Sequence, residues 1–321
     1  MAAIRIPAGP GSTGPEPLAG QGGGPGLAGT QALSRIWRAV RSSRKATAGT
    51  VILAFFCLLA AFPGVIARDD PEAFAYRRSL GPSLHHLLGT TAYGQDLFAQ
   101  AVWGARQTLV IALASGLVST LLSVLMGVAA AYLGGFWDGA LNLITDILLV
   151  IPAFPLLIVI VGYLPRSSLV ALVAVLVVTG YSYGARQLRA QALSLRGSDF
   201  LAAARVRGER RGYIIFAEII PTMTSLIVAT FLGTAVYNVL AAAGLQFIGL
   251  GDPNSLSWGT MLYWAENNAA LQTGQYLWAI VPGACIALLG AAFALLNYAF
   301  DEIGNPALRP VRRARARQVT R

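Results

Sequence analysis

Six stretches of this chain are too long and too apolar for a water-soluble fold: residues 47–67, 108–133, 141–163, 168–184, 221–244 and 278–299. A helix crosses about 30 Å of hydrocarbon with about 20 apolar residues at about 1.5 Å rise each, and only the fourth stretch falls somewhat short. Within lipid the backbone must satisfy its own hydrogen bonds. No alternating barrel pattern is present, so each stretch is read as a helix. Composition agrees, with 55% hydrophobic and 12% charged residues in 321 and a mean hydropathy of +0.61. The sequence predicts an all-α membrane protein with six transmembrane helices and no room for a large separate catalytic domain.

Basic residues then set the orientation. One side collects nineteen of the 24, in Arg5, Arg35, Arg38, Arg41, Arg44 and Lys45, in the loop from Arg186 to Arg211, and in the tail from Arg309 to Arg321. The other side holds Arg68, Arg77, Arg78, Arg106 and Arg166, and the connection 245–277 has none. Both termini are expected on the cytoplasmic face of the membrane. The net charge of +10 is accounted for by this topology and by anionic lipid, so nucleic acid is not an expected partner. Residues 7–30 are Gly, Pro and small polar residues and are expected to be disordered, giving an N-terminal tail over 1–34. The N-terminus does not read as a secretory signal. Cys57 and Cys285 lie inside apolar runs and His85 and His86 stand alone as neighbours, so neither metal nor redox chemistry is expected. No histidine or nucleophile motif falls within a span, which argues against an intramembrane protease.

Lipid gives helices no hydrophobic reason to associate, so small residues must let them approach. Ser115, Ser119, Ser123 and Gly127 recur every four residues, with Gly116 and Thr120 beside them, and predict a face packed on a neighbouring helix. Pro152 and Pro155 predict a kink in the third span. Asp146, with Asn142 one turn earlier, is the ionisable group inside that span and a candidate for the translocation path. A proton-coupled secondary transporter would be expected to carry more such groups and internal repeats.

The segment 191–222, QALSLRGSDFLAAARVRGERRGYIIFAEIIPT, is too polar to span and too patterned to be a slack link. Asp199 is expected to cap a helix beginning near Phe200, with Ala202, Ala203 and Ala204 as helix formers, Gly208 and Gly212 as breaks, and Pro221 opening the fifth span. The picture is a short helix parallel to the membrane, offering small residues to a partner. On the other side, residues 95–106 are expected to form a surface helix begun at Asp96, with Trp103 at the interface. Residues 255–267 repeat the device, with Ser255 or Ser257 as cap and Met261, Leu262 and Trp264 for apolar contact.

The run DFLAAARVRG followed by IIFAEIIPT resembles the EAA loop of bacterial ABC importer permeases, matching at Ala203, Ala204, Gly208, Ile219 and Pro221. Residues 86–109, HLLGTTAYGQDLFAQAVWGARQTL, are similar to the G-T-D-x-x-G-R-D…G-A-R stretch of the C-type subunit of dipeptide and oligopeptide permeases. They match at Gly89, Thr90, Gly94, Asp96, Gly104, Ala105, Arg106 and Leu109. LQFIGLGDPNSLSWGTML (245–262), with Gly249, Gly251, Trp258 and Gly259, and DEIGNPALR (301–309) resemble two further motifs of that subunit. Ala202, Thr91, Gln95 and Arg207 depart from the pattern, where the family usually has glutamate, aspartate, arginine and an apolar residue. The changes at 91 and 95 remove one acid and one base together.

The resemblance implies an ABC type I importer permease fold over residues 35–309, with a cytoplasmic EAA-type coupling helix in the loop 191–220 and a basic tail over 310–321. It further implies a pore formed with a second homologous permease subunit, two ATP-binding cassette subunits on the cytoplasmic side, and an extracytoplasmic substrate-binding protein, soluble or a lipoprotein, all at the bacterial inner membrane. The implied cargo is a di- or oligopeptide, with nickel, glutathione or haem as alternatives within the family. Asp199, Ala202, Ala203, Ala204, Arg205, Gly208 and Pro221 are the expected coupling residues. Asp96, Arg106, Gly249, Gly251, Trp258 and Gly259 are expected to serve an external gate or docking surface, so truncating 250–265 is expected to weaken capture of the binding protein. The chain lacks G-x(4)-G-K-[ST], and Lys45 is followed by Ala46. ATP and Mg²⁺ therefore belong to the partner subunits, and no cofactor is expected in this chain. A secondary transporter and a membrane scaffold without transport activity are the readings outside the family.

Overall fold

A computed structural model describes residues 44–164 and 168–304. The tail 1–34, Arg35, Arg38 and Arg41, Arg166, and residues 310–321 lie outside the described residues. The chain forms α1 (Arg44–Ala61), α2 (Leu97–Val124), α3 (Gly135–Val150), α4 (Ala153–Gly162), α5 (Leu169–Arg196), α6 (Asp199–Val206), α7 (Thr224–Phe247), α8 (Trp258–Asn267) and α9 (Tyr276–Gly304). Five helices are long and apolar enough to cross a bilayer, and α3 with α4 makes a sixth path bent by 93°. The family fold and six-span reading stand on this pattern.

Four local expectations change. The predicted surface helix 95–106 is the first part of α2, which runs on through a π-helical turn at Leu125–Ala129 to Leu133, 37 residues in all. Nothing in 97–124 breaks a helix, and Leu97, Ala101, Ala105, Leu109 and Ala112 form one stripe packed into the protein rather than laid on lipid. At about 1.5 Å per residue this helix is about 55 Å long and must project beyond the hydrocarbon. The third span is broken rather than kinked. Pro152 forces the residue before it out of the helical region, and Ile151 is extended at φ −72°, ψ 130°.

The fourth span does not end at Tyr181 and Tyr183, because α5 continues to Arg196. Tyr181 is buried midway along it and Tyr183 is exposed. The region 255–267 is likewise not an amphipathic helix on the membrane surface. Trp258 and Met261 of α8 are buried against Leu97, Ala101, Ala105 and Phe56, in the cluster that joins α1, α2, α7 and α9.

The small-residue stripe packs within the chain. Ser115, Ser119 and Ser123 have no exposed surface, and Gly116, Thr120 and Gly127 are buried with them. Ser123 Oγ donates to the Tyr181 carbonyl at 2.8 Å, and Asn238 Nδ2 donates to Ser115 Oγ at 2.8 Å, so α2 is stitched to both α5 and α7. The opposite face of α2 exposes Leu113, Leu117, Leu121 and Leu125, again every four residues, as a lipid-facing stripe requires. At Gly127 a Cβ would lie 2.5 Å from the Ala185 carbonyl, whereas at Gly139 it would meet nothing within 4 Å.

This contrast is testable by thermal unfolding of the purified chain in detergent. Gly127→Ala is expected to lose about 1–3 kcal/mol by forcing α2 off α5. Gly139→Ala is expected to be neutral or to gain up to about 1 kcal/mol from helix propensity.

Candidate functional site

Between α5 and α7 the chain builds a small docked unit. A helix of eight residues cannot hold itself together in water, so α6 depends on the face it buries. That face is Leu201 and Ala204, both fully buried against Leu188, Ala192, Ile214, Ile215 and Ile219. Phe200, Ala202, Ala203, Arg205 and Val206 are left exposed, and the Val206 side chain is 89% accessible. The expected offering of small residues on one face is therefore present at Ala202 and Ala203.

The cap differs from expectation. Ser198 occupies the N-cap position, its hydroxyl donating to the Leu195 carbonyl at 2.7 Å, and Asp199 is the first helical residue, where its charge still favours the helix dipole. At the other end Gly208, at φ +79°, donates its N–H to Arg205 O at 3.0 Å, while Glu209 N–H donates to Ala204 O at 3.2 Å. This is a Schellman stop, which demands a left-handed residue.

Arginines fasten the unit to its surroundings. Arg205 donates to the Arg196 carbonyl at 2.8 Å and lies over the Tyr132 ring, 5.8 Å from its centre. Arg207, the departure from the family pattern, sits 3.6 Å from Glu218 and 3.8 Å from Glu209. Pro221 lies in a short helical turn, Ile220–Thr222, between a π-helical stretch at Ile214–Ile219 and α7, so it precedes the span by three residues rather than opening it.

Two carboxylates on α3 tie the broken span to α5. Arg189 makes a two-pronged contact with Asp138, Nε to Oδ1 and Nη2 to Oδ2, each at 2.8 Å. Arg186 Nη2 donates to Asp146 Oδ1 at 2.7 Å, and Asn142 Nδ2 donates to its other oxygen at 2.7 Å. Asp146 is thus engaged by Arg186 and Asn142, with 36% of its side chain still exposed. The sequence reading placed Arg186 and Arg189 in a loop and passed over Asp138. The usable signal was the spacing of Asp138 and Asp146, just over two turns apart on one helix.

On the face opposite α6, residues 67–96 fold back over the ends of α1 and α2. Asp96 caps α2, accepting from Ala99 N–H at 2.7 Å, and its second oxygen lies 2.8 Å from His86 Nδ1, a pairing the sequence did not reveal. Thr91 Oγ1 donates to Gln95 Oε1 at 3.4 Å, so the two positions that depart together from the family pattern touch. Tyr76 donates its hydroxyl to Asp69 at 2.9 Å, and that bond holds the phenol above its ordinary pKa.

Trp258 has no exposed surface. Its indole Nε1 donates to the Ala101 carbonyl at 2.8 Å and its ring meets Phe56 edge-on at 5.1 Å. Ser257 makes a capping box with Thr260, and its hydroxyl donates to Gln246 Oε1 at 2.9 Å. Gly259 fits where a Cβ would crowd Gln246 and Ala243, and Gly249, at φ +80°, turns beneath the Tyr263 ring. Gly251 lies against Gln246. Of the six expected gate or docking residues, only the Arg106 side chain is exposed on this face, lining a cavity of about 790 Å³ with Arg68, Asp69 and Trp103. A truncation of 250–265 would excise Trp258 from the core, so it cannot isolate a docking effect.

A further cavity, of about 570 Å³, opens at the elbow between α3 and α4. Pro152, Thr179, Tyr183, Tyr237, Asn297 and Asp301 are among its lining residues. With the Asn297 amide nitrogen turned toward the carboxylate it donates to Asp301 Oδ2 at 3.1 Å and accepts from Gly233 N–H at 3.2 Å. Among the described residues no group of three or more His, Cys, Asp or Glu side chains could hold a metal ion.

A bundle of five long helices and one broken span, carrying a docked helix between its last-but-two and last-but-one spans, defines a transporter permease. The chain belongs to the family of binding-protein-dependent transport system inner membrane components, whose sequence profile matches residues 119–309. It is similar to the dipeptide transport system permease protein DppC of Alkalihalophilus pseudofirmus, at 30% identity over 276 residues, 85% of this chain and 89% of that protein. The oligopeptide transport system permease protein OppC of Mycobacterium tuberculosis is 30% identical over 72% of this chain and 79% of its own length. OppC of Bacillus subtilis is 30% identical over 69% and 73%. This chain is a non-catalytic, multi-pass permease subunit of an ABC importer.

Two measurements check the local energetics. Gly208→Ala is expected to cost about 1–2 kcal/mol and to speed hydrogen exchange of the α6 amides roughly tenfold, with Gly208→Asn milder. A double-mutant cycle on Asp138→Ala and Arg189→Ala, read from unfolding in detergent, is expected to give a coupling of about 1–3 kcal/mol. The same cycle on Asp146 and Arg186, whose arginine side chain is 61% exposed, should give less than about 1 kcal/mol.

Proposed function

We propose that this chain is one half of the translocation pore of an ATP-driven importer of di- and oligopeptides, pairing with a second, homologous permease. Its relatives named for dipeptide and oligopeptide transport support the cargo class. The excess of arginine around α5, α6 and the chain ends supports placing that face and both termini in the cytoplasm. There, two ATP-binding cassette subunits would hold ATP and Mg²⁺, and an extracytoplasmic binding protein would deliver cargo to the opposite face. In this reading residues 35–309 are the permease domain, flanked by the tails 1–34 and 310–321.

The observation that carries the reading is the seating of α6. Its buried side is fixed to α5 and to the approach to α7, while Ala202, Ala203 and Val206 remain open to a partner. Nucleotide-driven movement of a subunit gripping that open side pulls on two spans at once. The cavity at the elbow, bordered by α3, α4, α5, α7 and α9, is the path-lining surface in this reading. Asp146 and Asp138 act as struts that make the broken span follow α5 rather than as cargo ligands.

Charge placed on the open side of α6 tests this in the reconstituted transporter. Ala203→Glu and Val206→Glu leave the α6 core intact, so the chain is expected to reach the membrane at normal levels. An uncompensated charge in a closed interface costs several kcal/mol, so cargo-stimulated ATP hydrolysis should fall roughly tenfold or more. Full stimulation in both variants would remove α6 as the coupling element.

A further inference from the structure

On the face opposite α6 lies a second, open cavity of about 420 Å³, between the 67–96 segment, the 253–256 turn, α8 and the start of α9. Its walls combine four aromatic rings with one carboxylate: Phe74, Tyr93, Trp264, Trp278 and Glu72. Tyr93 stands at the centre, with Phe74, Trp264 and Trp278 meeting it edge-on at 6.4, 5.9 and 6.2 Å. Phe74 is 72% exposed.

The acid is held in place but not neutralised. Glu72 N–H donates to Asp70 Oδ1 at 3.0 Å, its carbonyl accepts from Gln95 Nε2 at 3.5 Å, and the preceding Pro71 carbonyl accepts from Gln100 Nε2 at 3.2 Å. Among the described residues its carboxylate has no cationic partner. Arg68 and Arg106 line the adjoining cavity, which Glu72 also borders, and neither lies within ion-pair distance of it. At the other end Trp278 is 2% exposed, and its indole Nε1–H has no acceptor. That nitrogen has no surface open to the pocket, so Trp278 offers its ring as wall and not its N–H as a contact.

A carboxylate beside aromatic rings selects a cation with an apolar neighbour. We propose that this pocket binds the amino-terminal end of a short peptide: its α-ammonium at Glu72, and an apolar first side chain against Tyr93, Trp264 and Trp278. The inference rests on the import reading for the source of the peptide, but binding itself needs neither ATP nor a partner subunit. The pocket is a reception site separate from the elbow cavity.

Calorimetric titration of the full chain in lipid nanodiscs tests it with Phe-Ala amide, which carries the ammonium and carbonyl, and with N-acetyl-Phe-Ala amide, which lacks the charge. The free amine is expected to bind roughly tenfold tighter than the acetylated form, because only the free amine carries the charge that Glu72 pairs with. Glu72→Gln should erase that preference. Gln95→Arg, which sets a guanidinium beside the acid, should erase it too.

Equal binding of the two peptides, or an unchanged preference in Glu72→Gln, would overturn the proposal. So would Glu72→Gln weakening capture of an unloaded binding protein while peptide binding stays the same, since the pocket would then serve a protein lysine. Loss of stimulated hydrolysis in the α6 variants with pocket binding intact would leave each conclusion to stand or fall separately.

Discussion

The structure depends on how closely α2 can approach α5 and α7. In hydrocarbon nothing squeezes helices together, so contact has to come from van der Waals packing and from a few polar bonds with no water to compete for them. Ser115, Ser119, Ser123 and Gly127 supply both. The serines remove bulk, and Ser123 and Ser115 bond across helices to Tyr181 and Asn238, while Gly127 lets the α5 backbone come to the distance where any side chain would collide. The Ser123 side is reinforced from α5, where a Cβ at Gly184 would meet Ser123 Oγ at 2.8 Å. Around this seam the remaining spans find their places, and leucines on the far face of α2 are left for lipid.

The broken third span is the complementary device. A straight helix over 141–163 would close the space between α5 and α9. Pro152 instead ends α3 at Val150 and redirects the chain by 93°, and the elbow leaves a cavity at that turn. A break would leave α3 poorly anchored, and the arginine contacts from α5 to Asp138 and Asp146 supply the anchor. Because α5 also carries the platform on which α6 sits, the broken span, the seam and the docked helix are mechanically connected through one element. That connection gives a physical meaning to coupling in a chain that lacks a P-loop.

Much of this was legible in the residues. Six apolar runs, the small-residue stripe, the cap at Asp96 and the helix stop at Gly208 follow from local chemistry, and the structure has each of them. The errors share a cause. Segments 95–106 and 255–267 have an apolar face and a polar one, and amphipathicity says that a face is covered without saying by what. Lipid was the expected cover, and the protein core is the cover found, with Trp258 buried between α1 and α2. The end of the fourth span was misplaced for a related reason: hydropathy stops near Tyr183, but helix propensity does not, and α5 continues through Arg186 and Arg189 to Arg196. Once those arginines lie on a helix, their contacts with α3 follow.

By itself the sequence determined the number of spans, the side on which positive charge gathers, the small-residue face and the helix at 199–206, because each depends on residues close together in the chain and on the solvent they meet. Tertiary structure alone decided that Asp146 is held by Arg186, that Asp96 is shared with His86, and that four aromatic rings gather beside Glu72. Those pairings join residues from separate elements. No local propensity encodes them, since they exist only after the seam between α2, α5 and α7 has fixed where every other helix must stand.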